Sequence, residues 1–153
     1  NVTLAANAAS VTFSSITGSY QDLIVVWNVK SAGSGDYLQM RANGIAANYN
    51  WNTYDGSNTT VNVNSSQSSY LQIDQNYISV PTSFNAGYMY LLDYSTTTRH
   101  KTVFARNQQQ GVVNSLMGGR VPSSAATTSL VFSLASANSF AIGSSFELYG
   151  VSA

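Results

Sequence analysis

The chain has 153 residues and no formal net charge, with six Lys and Arg against six Asp and Glu, and charged residues make up only 8% of it, where a soluble domain averages about 25%. That length suits one domain, residues 1–153, around one core, and that charge leaves no basic footprint for nucleic acid or an anionic membrane. The absence of Cys excludes disulfides and thiolate metal sites, and no apolar run approaches the roughly 18 residues of a membrane span.

Sixty of the 153 residues are Ser, Thr, Asn or Gln, yet 44% are hydrophobic and ten are Tyr, enough apolar mass to offset the entropy of folding. The first twenty residues lack the basic start and apolar centre of a secretory signal. Because the chain starts at Asn1 and not Met, a short leading segment that was processed, trimmed or disordered is expected.

Short runs of aromatic and β-branched residues between turn-formers predict strands at Val11 to Ile16, Asp22 to Lys30, Asp36 to Asn43, Tyr49 to Tyr54, Ser69 to Asp74, Gly87 to Tyr94, His100 to Asn107, Ser129 to Ala135 and Ser145 to Val151. In the second run Leu23, Val25, Trp27 and Val29 share one face and Ile24, Val26 and Asn28 the other. Such near-continuous apolarity predicts a strand buried on both sides. The turn chemistry of Ser31 to Gly35, and of Ser95 to Thr98, predicts two hairpins. Gly56 to Ser69 reads as one long polar loop, with room for a short strand at Val61 to Val63, and a loop of that kind suits a partner contact through Asn58, Asn62 and Asn64. No stretch keeps a helical period with caps. Together these features predict an all-β, antiparallel, jelly-roll-like β-sandwich of about eight or nine strands, with Phe13, Leu23, Val25, Trp27, Leu92, Phe104, Leu130, Phe132 and Leu148 mostly buried.

The titratable inventory is thin: Asp22, Asp36, Asp55, Asp74, Asp93, the single Glu147 and the single His100. Paired carboxylates could serve glycoside hydrolysis, but these four Asp residues near turns (22, 36, 55 and 74) read as caps of backbone donors, and Asp93 and Glu147 alternate with apolar neighbours as solvent-facing or paired strand residues. His100 with Asp93 and a Ser would make a triad on paper, yet no nucleophile elbow is present and Arg99-His100-Lys101 reads better as a strand start. Gly118-Gly119-Arg120 lacks the Lys of a phosphate loop and reads as a turn. The glycosylation sequons at Asn58 and Asn64 are what chance gives in this composition. No catalysis, cofactor or metal is expected. Trp51, Tyr54 and Asp55, beside Asn48, Asn50 and Asn52, could form a sugar contact by stacking and amide bonding, although a strand with Tyr49, Trp51 and Thr53 facing the core is favoured.

Several stretches taken in order resemble a family of small tailed-phage virion proteins, abundant among phages of aquatic bacteria. They are Val11-Thr12-Phe13-Ser14-Ser15-Ile16, Tyr20-Gln21-Asp22-Leu23, Met40-Arg41-Ala42-Asn43-Gly44, Asn48-Tyr49-Asn50-Trp51, Leu92-Asp93-Tyr94 leading to His100-Lys101-Thr102, and the closing run from Phe140 to Val151 with its Leu148-Tyr149-Gly150-Val151. The family usually has Gly-Asp after the Asn of the third block, where this chain has Gly44-Ile45. The resemblance implies a jelly-roll-like domain on the outer surface of a virion, as a head decoration (cement) protein or a fibre component, and it implies no catalytic residues. The expected partners are other copies in a homotrimer, the major capsid protein and, in the fibre alternative, a host surface glycan, with no nucleic acid and no membrane insertion.

Overall fold

The computed structural model describes residues 1–57, 60–73, 83–109 and 113–152. The described residues form twelve strands: β1 (Val2–Thr3), β2 (Ser10–Phe13), β3 (Asp22–Val29), β4 (Leu38–Ala42), β5 (Tyr49–Ser57), β6 (Thr60–Ser68), β7 (Leu71–Gln72), β8 (Asn85–Leu91), β9 (Lys101–Gln109), β10 (Val113–Val121), β11 (Leu130–Leu134) and β12 (Ser145–Val151). Eight of them make one sheet in the order β1-β12-β3-β8-β9-β10-β5-β6, and four make a second in the order β2-β11-β4-β7. Every pairing is antiparallel. The fold is therefore an all-β sandwich with more strands than the sequence pattern suggests. Among the described residues no helix is long and apolar enough to cross a membrane.

The core lies where the small sheet covers the inner face of the large one. Leu23, Val25, Trp27 and Val29 of β3, Met89 and Leu91 of β8, and Val103 and Ala105 of β9 are buried there with Leu38, Met40, Leu130, Phe132 and Leu134 of the small sheet. Phe146 sits at its centre, with the Phe132 and Phe140 rings both 5.2 Å from its own. The other face of β3 is not covered: Val26 and Asn28 are exposed and Ile24 half-buried. The expectation of burial on both sides fails because, among the described residues, no second layer packs on the outer face of the large sheet.

The Ser95 to Thr98 turn joins the paired strands β8 and β9 as expected. The Ser31 to Gly35 segment instead leads from β3 in the large sheet to β4 in the small one, so it is a corner and not a hairpin. Side chains hold that corner. Ser31 Oγ donates to the Ser34 carbonyl at 2.8 Å, and buried Asp36 accepts from the N–H groups of Tyr37 and Ser136 and from Asn138 Nδ2. Asn43 and Gly44 both take positive φ, 51° and 69°, the backbone a tight turn after β4 needs. Asn43 Oδ1 then accepts from the Thr128 and Ser129 N–H groups.

Two polar stretches are strands where turns and loops were expected. Most of the Gly56 to Ser69 segment belongs to the β5–β6 hairpin, with β6 paired along all nine of its residues. Backbone pairing with a well-anchored neighbour overrides the weak strand propensity of Asn and Ser. Gly118-Gly119-Arg120 lies inside β10, between β9 and β5. The glycines there answer to packing: a Cβ on Gly119 would come within 2.6 Å of Leu71 Cδ1, whereas one on Gly118 would meet open space on the outer face.

Candidate functional site

Strand alternation separates the residues that sequence reasoning grouped as a sugar contact. Trp51 and Asp55 face the interior at 5% and 2% exposure, and Tyr54 between them points outward at 52%. Asp55 is occupied inside, accepting from Ser115 Oγ at 2.5 Å and Thr53 Oγ1 at 3.3 Å. Of the residues proposed for an assembly loop, Asn62 and Asn64 lie in β6 opposite Asp55 and Thr53, and Asn58 falls outside the described residues. They are strand residues of a sheet edge, not members of a free loop.

The other titratable groups are committed to structure. Asp22 Oδ1 accepts from the Asp93 N–H at 2.7 Å, and the Asp93 carboxylate pairs with Arg99 at 2.6 Å on the surface. His100, on the exposed side, accepts at Nδ1 from Arg120 at 2.7 Å, so its partner is a guanidinium where a triad needs an acid. Glu147 accepts from the Tyr149 hydroxyl, a bond that raises the Tyr149 pKa above the usual tyrosine value. Asp74 lies outside the described residues. Among the described residues no three His, Asp or Glu side chains gather where they could hold a metal.

Lys101 is the least expected of these groups. It is buried at 1% exposure, with its ammonium 2.5 to 3.3 Å from the carbonyls of Thr96, Arg99, Ser123, Ser124 and Ala125. Removal from water lowers its pKa, and the ring of carbonyls opposes that by favouring the charged form. The side chain acts as a tethered cation joining the β8–β9 turn to the loop after β10. Since Lys101 faces in, the alternation of β9 turns Phe104 outward, where it is 53% exposed. The expected burial of Phe104 is thus reversed. Phe13, Leu92 and Leu148 are half-buried, and the other five expected core residues are fully inside.

Phe104 belongs to a large exposed cluster on the outer face of the eight-stranded sheet. The register places Ile24, Tyr90, Phe104, Gly118, Asn52 and Ser65 in one row across β3, β8, β9, β10, β5 and β6, and Val26, Tyr88, Arg106, Leu116, Tyr54 and Val63 in the next. Tyr88, Tyr90, Leu116, Tyr54, Val63 and Val26 are each more than a third exposed. A contiguous apolar area of this kind marks a contact surface.

Gly118 interrupts the first row and leaves two depressions that meet at it. One, of about 430 Å³, is walled by Tyr54, Tyr88, Tyr90, Phe104 and Leu116, with Arg106 at its side. The other, of about 540 Å³, is lined by Asn50, Asn52, Ser65, Gln67 and Arg120. Arg120 is held across it, donating to Asn50 Oδ1 at 2.5 Å and to the Asn48 carbonyl at 3.4 Å. Sequence reasoning found Tyr54, Asn50 and Asn52 of this face and missed the rest. The signal was the strand character of residues 113–121, hidden by its glycines, and the inward Lys101 that reverses the reading of β9. No family model, curated protein or solved structure matches the chain.

Proposed function

We propose that this chain is a non-catalytic structural protein of a tailed-phage virion exterior, a cement protein that decorates the capsid as a homotrimer. The observation that carries the reading is β6. Among the described residues it closes the large sheet, with nine paired residues on one side and no strand on the other, and it contains no charged residue and no proline. Edge strands of monomeric proteins are normally blunted by charge, proline or a bulge. An unblunted edge of this length offers its backbone to another chain, and Asn62 and Asn64 sit on it. The absence of an assembled acid, base and nucleophile among the described titratable groups supports a structural role, and the resemblance of the sequence to small virion proteins supports its setting. Few ion pairs are involved, so such contacts tolerate salt.

Labelling of the protein on intact particles, together with particles that lack it, tests the reading. Label spread over the head and loss of heat resistance in the depleted particles are expected. Label confined to fibres, with heat resistance unchanged and adsorption to host cells lost, would move the chain to the alternative role of a receptor- or carbohydrate-binding module. The groove at Gly118 is the observation that favours that second role.

A further inference from the structure

We infer that the groove crossing Gly118 on the outer face of the large sheet is a binding site for an acidic oligosaccharide, one bearing uronate or sialate carboxylates; the site stands whether the chain sits on a capsid or a fibre. Its two halves supply the two contacts that sugars require. Tyr54, Tyr88 and Phe104 present apolar surface for the C–H faces of pyranose rings, and the amides of Asn50 and Asn52 line the adjoining half with donors and acceptors for hydroxyls. The absence of a side chain at Gly118 makes the two halves continuous, and nothing lies within 4 Å of where its Cβ would be. From β8 to β6 the groove crosses four inter-strand spacings, roughly 19 Å. That is the reach of an oligosaccharide and too long for a single sugar.

Charge selects the class. No Asp or Glu lines either half of the groove, while Arg106 and Arg120 flank it. Among the described residues Arg120 bonds only neutral acceptors, the Asn50 side chain, the Asn48 carbonyl and His100 Nδ1, and no carboxylate there compensates its positive charge. Arg106 is exposed, and its guanidinium makes no hydrogen bond or ion pair among the described residues. In a chain where only 8% of residues are charged, two uncompensated guanidiniums beside exposed aromatic rings complement a carboxylate, which arginine binds through paired N–H donors.

The test is calorimetric titration of the purified full chain with a short oligogalacturonate and with a neutral malto-oligosaccharide of equal length. Saturable binding of the oligogalacturonate is expected, weakening as salt rises, with affinity for the neutral sugar at least about tenfold lower. Arg106→Gln, an exposed change, and Gly118→Leu, which fills the dip, should each weaken the acidic sugar by about tenfold or more. No saturable binding, equal affinity for the neutral sugar, or affinity unchanged in both variants would each overturn the site. Sedimentation of the same samples separates it from self-assembly: if Gly118→Leu disperses the oligomer, the face is a contact between copies and the sugar site is refuted.

Discussion

Trp27 lies across Gly87 to reach Asn107: its indole Nε1 donates to Asn107 Oδ1 at 3.2 Å, and the register places Gly87 directly between the two residues. A Cβ on Gly87 would stand 2.5 Å from the indole and 2.6 Å from the Arg106 carbonyl. The central strand β8 therefore has to be bare at this point, and its glycine serves the buried hydrogen bond of its neighbours.

The first prediction follows from that arrangement. Gly87→Ala should destabilise the fold by about 1 to 3 kcal/mol through overpacking, and Trp27→Ala by about 3 to 5 kcal/mol. Trp27→Phe, which loses the N–H but keeps a ring, should fall between no change and Trp27→Ala. Urea unfolding followed by circular dichroism measures all three; a loss below about 1 kcal/mol for Trp27→Ala would contradict its central place in the core.

Lys101 gives the second. Lys101→Met keeps the length and apolarity of the stem but strands the carbonyls of Thr96, Ser124 and Ala125, the three nearest the ammonium. Each carbonyl that stays dry costs about 1 to 3 kcal/mol, so a total loss of about 4 kcal/mol is expected in the same unfolding experiment, and a neutral result would deny the ammonium its structural role.

Alkaline pH gives the third. Tyr49 is buried, accepts the Ala42 N–H at 2.8 Å, and has its pKa raised by desolvation above the ordinary 10.0. The folded chain then holds a proton that the unfolded chain releases, so this contribution is complete below pH 10.0 and declines as pH rises past it. Lys101, whose pKa is lowered, acts with the opposite sign. Comparison with Tyr49→Phe isolates the tyrosine: the stability difference between the two proteins should be constant from pH 7 to about 9 and should shift against the native chain above about 10. A constant difference through pH 11 would refute it.

The sandwich was legible where short apolar runs stand between turn-formers, as in β3, β8, β11 and β12. It was illegible where the inner positions are polar. β9 places Lys101 and Asn107 inside and Phe104 outside, the reverse of what hydropathy suggests, because carbonyls and the Trp27 indole satisfy the polar groups. β10 hides behind Gly118 and Gly119, and β6 behind Asn and Ser. Since β9, β10 and β6 carry much of the outer face, the same three failures concealed most of the candidate site, leaving Tyr54 and its neighbours Asn50 and Asn52 as the foreseen members.

The fourth prediction concerns the sheet edge. Asn62→Lys with Asn64→Lys places two charges on β6, the device that natural edge strands use against pairing. The variant should keep its circular dichroism spectrum and lose self-association. A variant that stays assembled would remove β6 from the interface.

Sedimentation velocity of the native chain at micromolar concentration in high salt bears most directly on the account. Three copies of the 16.3 kDa chain, about 49 kDa together, are expected, because a closed ring through β6 must meet a different edge on the next copy. A species of two copies would mean that β6 pairs with itself about a two-fold axis and would contradict the trimer. A lone 16.3 kDa species would contradict self-assembly altogether.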